Sequence, residues 1–135
     1  MYVHIVWGTW DRLPLITNDI QMAVYRSLGA QCQSLQVEVI ALGGMEDHLH
    51  MLVQLPTTLA LADLVKQVKG ATTHLVTHVL APNSFFKWQG AFGAVSVSPD
   101  DLPRISNYIA HQREHHTNQS LVPTWELPTS ATQSA

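Results

Sequence analysis

The chain has 135 residues, 46% of them hydrophobic, which supplies one sizeable core and leaves no material for a second. Its formal net charge is −3, so it lacks the general cationic excess of most nucleic-acid-binding proteins. A lone cysteine, Cys32, excludes an internal disulfide and is typical of a reducing compartment. The N-terminus lacks signal-peptide features and no stretch approaches the roughly 18 apolar residues of a membrane span. We therefore expect a cytoplasmic protein.

The first half of the chain alternates predicted strands with one helix. Residues 2–10 are rich in β-branched and aromatic types and predict a strand. Thr17-Asn18-Asp19 supplies capping chemistry for a helix that runs to about Ser34. Residues 36–42 predict a second strand that ends at Gly43-Gly44, and residues 48–55 predict a third. The short gap between these two strands predicts an antiparallel hairpin.

The second half contains the clearest helix. Residues 59–80 carry apolar side chains at the i, i+3, i+4 spacing as far as Val79. Residues 91–97 predict a fourth strand, and Pro103 begins a helix that we expect to reach about His116. The order βαββαβ predicts an α+β, ferredoxin-like fold: a four-stranded antiparallel sheet with two helices on one face and an additional C-terminal helix. We expect one domain over residues 1–118 and a flexible or loosely docked tail over residues 119–135.

The third strand separates its side chains onto two faces. Alternation directs Leu49, Met51 and Val53 towards the two helices and directs His48 and His50 to the opposite face. Two imidazoles at i and i+2 can bind one divalent ion through neutral ring nitrogens. The alternative is a pair of surface histidines on a half-solvated strand, and His-x-His alone does not decide between them.

The last predicted helix carries polar groups on its apolar face. Ile105, Tyr108, Ile109, Gln112 and His116 share one side of that helix. Tyr108 and Gln112 would cost free energy on a buried face unless they found partners. The free face of the sheet is the natural dock for this helix, so we expect Tyr108 and Gln112 to approach the two histidines. The alternative is a satisfied tyrosine hydroxyl and a glutamine at a fraying helix end.

These positions together indicate a reaction. His48, His50 and Gln112 would hold a metal ion that polarises a phosphodiester, and Tyr108 would attack the phosphorus. His4, on a neighbouring strand, would support His48 from behind. Water-based zinc hydrolysis with a third histidine remains open, as does a catalytically idle module that only binds single-stranded nucleic acid.

Four segments in family order resemble the single-tyrosine HUH transposases of small single-stranded-DNA insertion sequences and the REP-associated tyrosine transposases. The resemblance covers roughly residues 2–118, and its motifs are MEDHLHML at 45–52, LVKQVKGATT at 64–73, WQGAFGAVSVS at 88–98 and NYIAHQ at 107–112. It implies that Tyr108 forms a 5′-phosphotyrosine with Mg²⁺ or Mn²⁺ as cofactor. It also implies single-stranded, hairpin-forming DNA as substrate and a homodimer joined edge to edge through its sheets.

Local positive charge supplies the candidates for DNA contact. Phosphate neutralisation by these side chains would make the affinity sensitive to salt. Solvated surface charge is the alternative for each one taken singly. The candidates are Lys66, Lys69, Lys87, Arg104, Arg113 and His111.

Overall fold

The computed structural model describes residues 1–112 and residue 126. The predicted tail therefore lies outside the described residues except for Glu126, and the last part of the predicted C-terminal helix lies outside them too. The order of elements is the predicted one. The helices and strands are β1 (Tyr2–Gly8), α1 (Asn18–Ser34), β2 (Glu38–Met45), β3 (His48–Gln54), α2 (Leu61–Leu75), β4 (Gly93–Val97) and α3 (Leu102–Ala110).

The four strands form one antiparallel sheet in the order β2-β3-β1-β4. β1 and β3 occupy the centre, and the β2–β3 pair is the predicted hairpin. The ferredoxin-like arrangement is thereby confirmed. In the described part of the chain no helix is long and apolar enough to cross a bilayer.

One face of the sheet carries the main hydrophobic core. Leu49, Met51 and Val53 are fully buried there, as their alternation predicted. α1 contributes Ile20, Val24, Leu28 and Cys32 to the same cluster, and burial raises the pKa of the Cys32 thiol to about 11. Cys32 is thus a small apolar core residue rather than a reactive thiol.

The apolar stripe of the long helix ends earlier than its spacing predicted. α2 buries Leu64, Val65 and Val68, but after Leu75 the chain continues as a wider π-type turn over Val76–Leu80. Each hydrogen bond in a π-type turn joins residues five apart instead of four, and this shifts the side chains around the helix axis. Val79 is consequently 64% exposed rather than part of the core.

α3 packs on the opposite face of the sheet, as predicted. Ile105 and Ile109 bury themselves against Leu52, which points away from the main core. The continuous helix ends at Ala110 and His111 interrupts it with φ −114° and ψ 33°, but Gln112 is helical again, and the predicted end near His116 lies outside the described residues. Gln112 still folds back, because its side-chain amide donates to the Tyr108 carbonyl at 3.3 Å.

Gly43 and Gly44 do not end β2, contrary to the prediction, because the strand continues to Met45. Their lack of a side chain serves close packing instead. A Cβ placed on Gly43 would lie 2.3 Å from the backbone oxygen of Ile109, which is backbone and cannot rotate away. Any larger residue at Gly43 would therefore push α3 off the sheet.

Gly43→Ala should lower the free energy of unfolding by about 1–3 kcal/mol through overpacking. The matched control is Gly29→Ala in α1, where nothing lies within 4 Å of the new Cβ; there the exchange should raise stability by up to about 1 kcal/mol. Urea denaturation of both variants checks this. Equal stability of Gly43→Ala and wild type would contradict the close approach.

Candidate metal and tyrosine site

The two histidines of β3 lie beneath α3 rather than on the surface. His48 and His50 are 1% and 0% exposed, and their ring centroids are 5.1 Å apart. The surface alternative for this pair is therefore wrong. Their Nε2 atoms point towards α3 and Glu126, and their Nδ1 atoms point towards other partners.

Each Nδ1 atom has its own partner. His48 Nδ1 lies 2.7 Å from Asp47 Oδ1, a carboxylate that can only accept, so this nitrogen carries the hydrogen. His50 Nδ1 lies 2.9 Å from His4 Nε2, and the two rings stack. His4 therefore supports His50 from behind, whereas the sequence had assigned it to His48. These contacts fix which ring nitrogens face α3.

Tyr108 on α3 and Gln112 just beyond its end are the two polar residues that the helical periodicity singled out. Tyr108 and Gln112 are 3% and 2% exposed. Gln112 Oε1 lies 3.3 Å from His48 Nε2, and the Tyr108 ring packs edge-on against His50 with centroids 6.0 Å apart. The structure thus brings together all four residues that the sequence placed at the centre of the site.

Glu126 completes the cluster and was missed by the sequence analysis. Both of its carboxylate oxygens lie 3.2 Å from His50 Nε2, one lies 3.5 Å from His48 Nε2, and the other accepts a hydrogen bond from the Tyr108 hydroxyl. One ligand atom from each of His48, His50 and Glu126 fits within a 4.8 Å group. The available signal was weak: Glu126 is the single charged residue of 119–135, set between Trp125 and Leu127.

The chemistry of this cluster suits a cation. When His4 accepts from His50 Nδ1, the Nε2 lone pairs of His48 and His50 both face side-chain oxygens, those of Gln112 and of the Glu126 carboxylate. All of these groups are acceptors, and buried acceptors that face one another repel unless positive charge lies between them. Protons on the imidazoles or a divalent ion would each supply that charge. Two imidazoles, a carboxylate and an amide oxygen are also a suitable donor set for a metal.

The electrostatics keep both carboxylates of the site charged. Burial alone would raise the pKa of Glu126, but hydrogen bonding and the charge at His50, with the Tyr108 hydrogen bond, lower it to about 2. Burial also opposes ionisation of Asp47, yet the His48 hydrogen bond and the Arg12 guanidinium bring its pKa to about 2. Burial and the neighbouring His50 lower the pKa of His4 to about 4, so His4 is neutral near pH 7 and can accept from His50.

The predicted basic residues lie on two surfaces. Lys66, Lys69 and Lys87 line an open cavity of about 630 Å³ beside α2. Lys69 is held by structure, since its amine donates to the carbonyls of Gln89 and Ala91 at 2.9 and 3.0 Å, and burial lowers its pKa to about 8. The Lys87 amine lies 3.9 Å over the ring of Trp10.

Arg104 and His111 belong to the exposed side of α3. Arg104 pairs with Asp101 at 3.2 Å, and His111 Nδ1 lies 2.8 Å from the Asn107 carbonyl oxygen. Arg113 lies outside the described residues, as do His115 and His116. None of these placements decides whether the basic residues touch DNA, so their role stays a prediction.

The class of protein follows from the fold together with the sequence profile. The sequence profile of IS200-like transposases matches residues 1–112. The chain therefore belongs to the IS200-like family of single-tyrosine transposases, and the predicted resemblance is confirmed.

Individual relatives agree with this assignment. The chain is 26% identical to the ISDra2 transposase TnpA of Deinococcus radiodurans over 120 residues, covering 82% of this chain and 83% of that protein. Its fold is similar to the crystal structure of a Deinococcus radiodurans R1 protein described as a transposase, with a TM-score of 0.65, 23% identity, and coverage of 83% of this chain and 90% of that one. A REP-associated tyrosine transposase bound to a REP hairpin gives a TM-score of 0.66 at 16% identity, covering 97% and 88% of the two chains.

Asp47→Asn should weaken Mn²⁺ binding about 10- to 100-fold, because the amide no longer holds His48 in the required orientation and tautomer. Asp63→Asn, on exposed α2, is the matched control and should bind like wild type. Isothermal titration calorimetry measures both affinities. An unchanged affinity for Asp47→Asn would show that His48 is oriented by other contacts.

Glu126→Gln should reduce Mn²⁺ affinity at least 10-fold, since it replaces a charged oxygen donor by a neutral one while keeping the shape of the side chain. Glu38→Gln, on the exposed end of β2, changes net charge equally and should leave the affinity unaltered. Titration of both variants at one ionic strength separates ligation from general electrostatics. Equal affinities would remove Glu126 from the ligand set.

Proposed function

We propose that this chain is a metal-dependent single-stranded-DNA transposase that cleaves and rejoins DNA through a 5′-phosphotyrosine at Tyr108. One observation carries the proposal: the Tyr108 hydroxyl and the acceptor cluster share the same carboxylate, Glu126. A nucleophile and a cation-requiring group thus meet at one buried point beneath α3.

The residues that would hold the metal are His48, His50, Glu126 and Gln112. Mg²⁺ prefers oxygen donors, whereas Mn²⁺ also accepts imidazole, so the mixed nitrogen and oxygen set favours Mn²⁺ of the two proposed ions. When bound, such an ion polarises the phosphodiester and stabilises charge on its oxygens. Asp47 and His4 would hold the two imidazoles in their ligating tautomers.

Tyr108 would attack a phosphorus atom of the bound strand. Its oxygen would form a bond to phosphorus as the bond from phosphorus to the 3′ oxygen breaks. The phenolic proton leaves Tyr108, the departing 3′ oxygen gains a proton, and the downstream DNA segment stays attached to the enzyme through its 5′ phosphate. Glu126 orients the phenol by accepting its hydrogen bond. The reverse attack by a 3′ hydroxyl rejoins a strand without an external energy source.

Single-stranded, hairpin-forming DNA is the proposed partner. One structural relative is described as bound to a REP hairpin, which supports a nucleic-acid hairpin as ligand here. The sequence candidates for neutralising phosphates that the structure describes include Lys66 and Lys87 on the cavity beside α2, Arg104 on α3 and His111 at its C-terminal end. Lys69 holds residues 89–91 in place through its two hydrogen bonds. A direct contact between Lys69 and DNA stays a prediction.

We also propose a homodimer joined through β4. This strand pairs with β1 on one side and forms an edge of the sheet, and Val95 on it is 42% exposed. An unpaired edge with an apolar side chain recruits another strand. A second copy would add its own β4 there.

Tyr108→Phe should abolish covalent DNA attachment, because it removes the attacking oxygen and keeps the ring that packs against His50. The protein is incubated with Mn²⁺ and 5′- or 3′-labelled hairpin oligonucleotides from the DNA flanking its gene, and adducts are separated under denaturing conditions. Wild type should retain only the 3′ label, because the segment downstream of the cut stays attached through its 5′ phosphate. Tyr2→Phe, at the start of β1, is the control and should form adduct like wild type.

The same assay separates the alternatives. A catalytically idle binder would bind the hairpin without adduct in either protein. A zinc hydrolase would cut DNA with Tyr108→Phe and contain stoichiometric zinc. Either result would replace the proposed reaction.

A further inference from the structure

The side chain of Gln89 is buried without a hydrogen-bond partner. Gln89 is 1% exposed, and neither its Nε2 nor its Oε1 atom bonds to any residue in the described part of the chain. A buried amide without partners is destabilising, so such a group calls for an explanation. The Trp88-Gln89-Gly90 segment also belongs to the motifs on which the family resemblance rests, and the proposed reaction gives it no role.

The backbone on either side of Gln89 is fixed by several contacts. Its own amide donates to the Gly8 carbonyl at 3.0 Å, and its carbonyl accepts from the Lys69 amine at 2.9 Å. The neighbouring Trp88 is buried and its indole donates to the Thr72 hydroxyl at 3.0 Å. The position of the Gln89 amide is therefore imposed by the fold.

The amide lies on the same face of the sheet as His48 and His50. A Cβ built on Gly8 would lie 2.3 Å from Gln89 Oε1, so the absence of a side chain at Gly8 makes room for it. Gly8 pairs with His48 across β1 and β3, and the same built atom would lie 3.3 Å from the Asp47 carbonyl oxygen. The Gln89 amide thus occupies the space above Gly8, whose neighbour across the sheet is His48, a proposed metal ligand.

Arg12 covers this position and has donors to spare. Its Cδ would lie 3.2 Å from the Cβ built on Gly8, and its side chain is 24% exposed. Its described polar contacts are long: 3.4 Å to Asp47 Oδ2 and 3.4 Å to His48 Nδ1, a nitrogen that already donates to Asp47. A guanidinium carries five N–H donors, so a phosphate could draw it away and uncover the amide.

We propose that Gln89 is a specificity-determining residue that reads the base next to the scissile phosphate, with Arg12 contacting the adjoining phosphate. A carboxamide presents one donor and one acceptor side by side, the pattern that recognises the edge of a single base, most often adenine. This rests on the proposed function, since it assigns a substrate contact to the same site.

The test selects DNA from a pool of single-stranded hairpins whose flanking nucleotides are randomised. One arm sequences DNA captured covalently by wild type, Gln89→Leu and Gln67→Leu in Mn²⁺. A second arm sequences DNA bound without cleavage by Tyr108→Phe and by Tyr108→Phe with Gln89→Leu. Gln67 is an exposed glutamine of α2 and serves as the matched control.

Gln89→Leu should lose a base preference of roughly 5- to 150-fold at one position in both arms, while the preferences at the other positions stay close to wild type. Gln67→Leu should keep every preference. Thermal melting should find Gln89→Leu at least as stable as wild type, because an apolar group replaces an unpaired amide. Gln89→Glu, which lacks the donor, should change the preferred base if the leucine variant does not fold.

A Gln89→Leu protein that retains all base preferences overturns the inference. Its failure is distinguishable from failure of the proposed reaction. If wild type forms no adduct but Tyr108→Phe still selects bases in a Gln89-dependent way, the recognition stands and the chemistry falls. If no protein selects single-stranded DNA at all, both are overturned.

Discussion

The contact between α3 and β2 at Gly43 is the constraint on which the site depends. A hydrogen in place of a side chain lets the Ile109 carbonyl approach within a distance that no other residue would permit. Because Tyr108 precedes Ile109 on α3 and Gln112 hydrogen-bonds to the Tyr108 carbonyl, this approach sets their distance from His48 and His50. The positions of the two histidines and of Tyr108 are thus set by the sheet and the helix, which are rigid elements.

Depth of burial then gives the cluster its chemical character. His48, His50 and Gln112 are almost fully inaccessible, so their polar atoms must be satisfied from within. Asp47 accepts the Nδ1 hydrogen of His48; when His4 accepts that of His50, the other ring nitrogens and two side-chain oxygens face each other. The fold has therefore assembled acceptors around a position that calls for positive charge. Glu126 connects that position to the tyrosine hydroxyl.

A glycine at the end of β1 has the same role as Gly43 in β2. Gly8, like Gly43, lies on the α3 face of the sheet and gives room to a group from another part of the chain, here the amide of Gln89. Lys69 and Thr72 of α2 hold the segment that carries this amide. One helix of the core side consequently positions a side chain on the site side. Because the two glycines have no side chains, other groups can approach the sheet closely where the proposed chemistry and the proposed base recognition meet.

Sequence periodicity determined much of this protein, because alternation on a strand and the 3.6-residue repeat of a helix are local properties. They placed Leu49 in the core, His48 and His50 on the other face, and Tyr108 with Gln112 on one side of the last helix. Local patterns gave no account of contacts between distant segments. Gly43 and Gly44 resembled a strand end, yet the approach of α3 keeps them inside β2. Val79 fitted the helical stripe until a π-type turn rotated it outward. His4 was assigned to the wrong histidine, and Glu126, 76 residues from His50, had no periodic signal at all. Only the tertiary structure decided which acceptors share a cation site, since that depends on how separate elements pack in three dimensions.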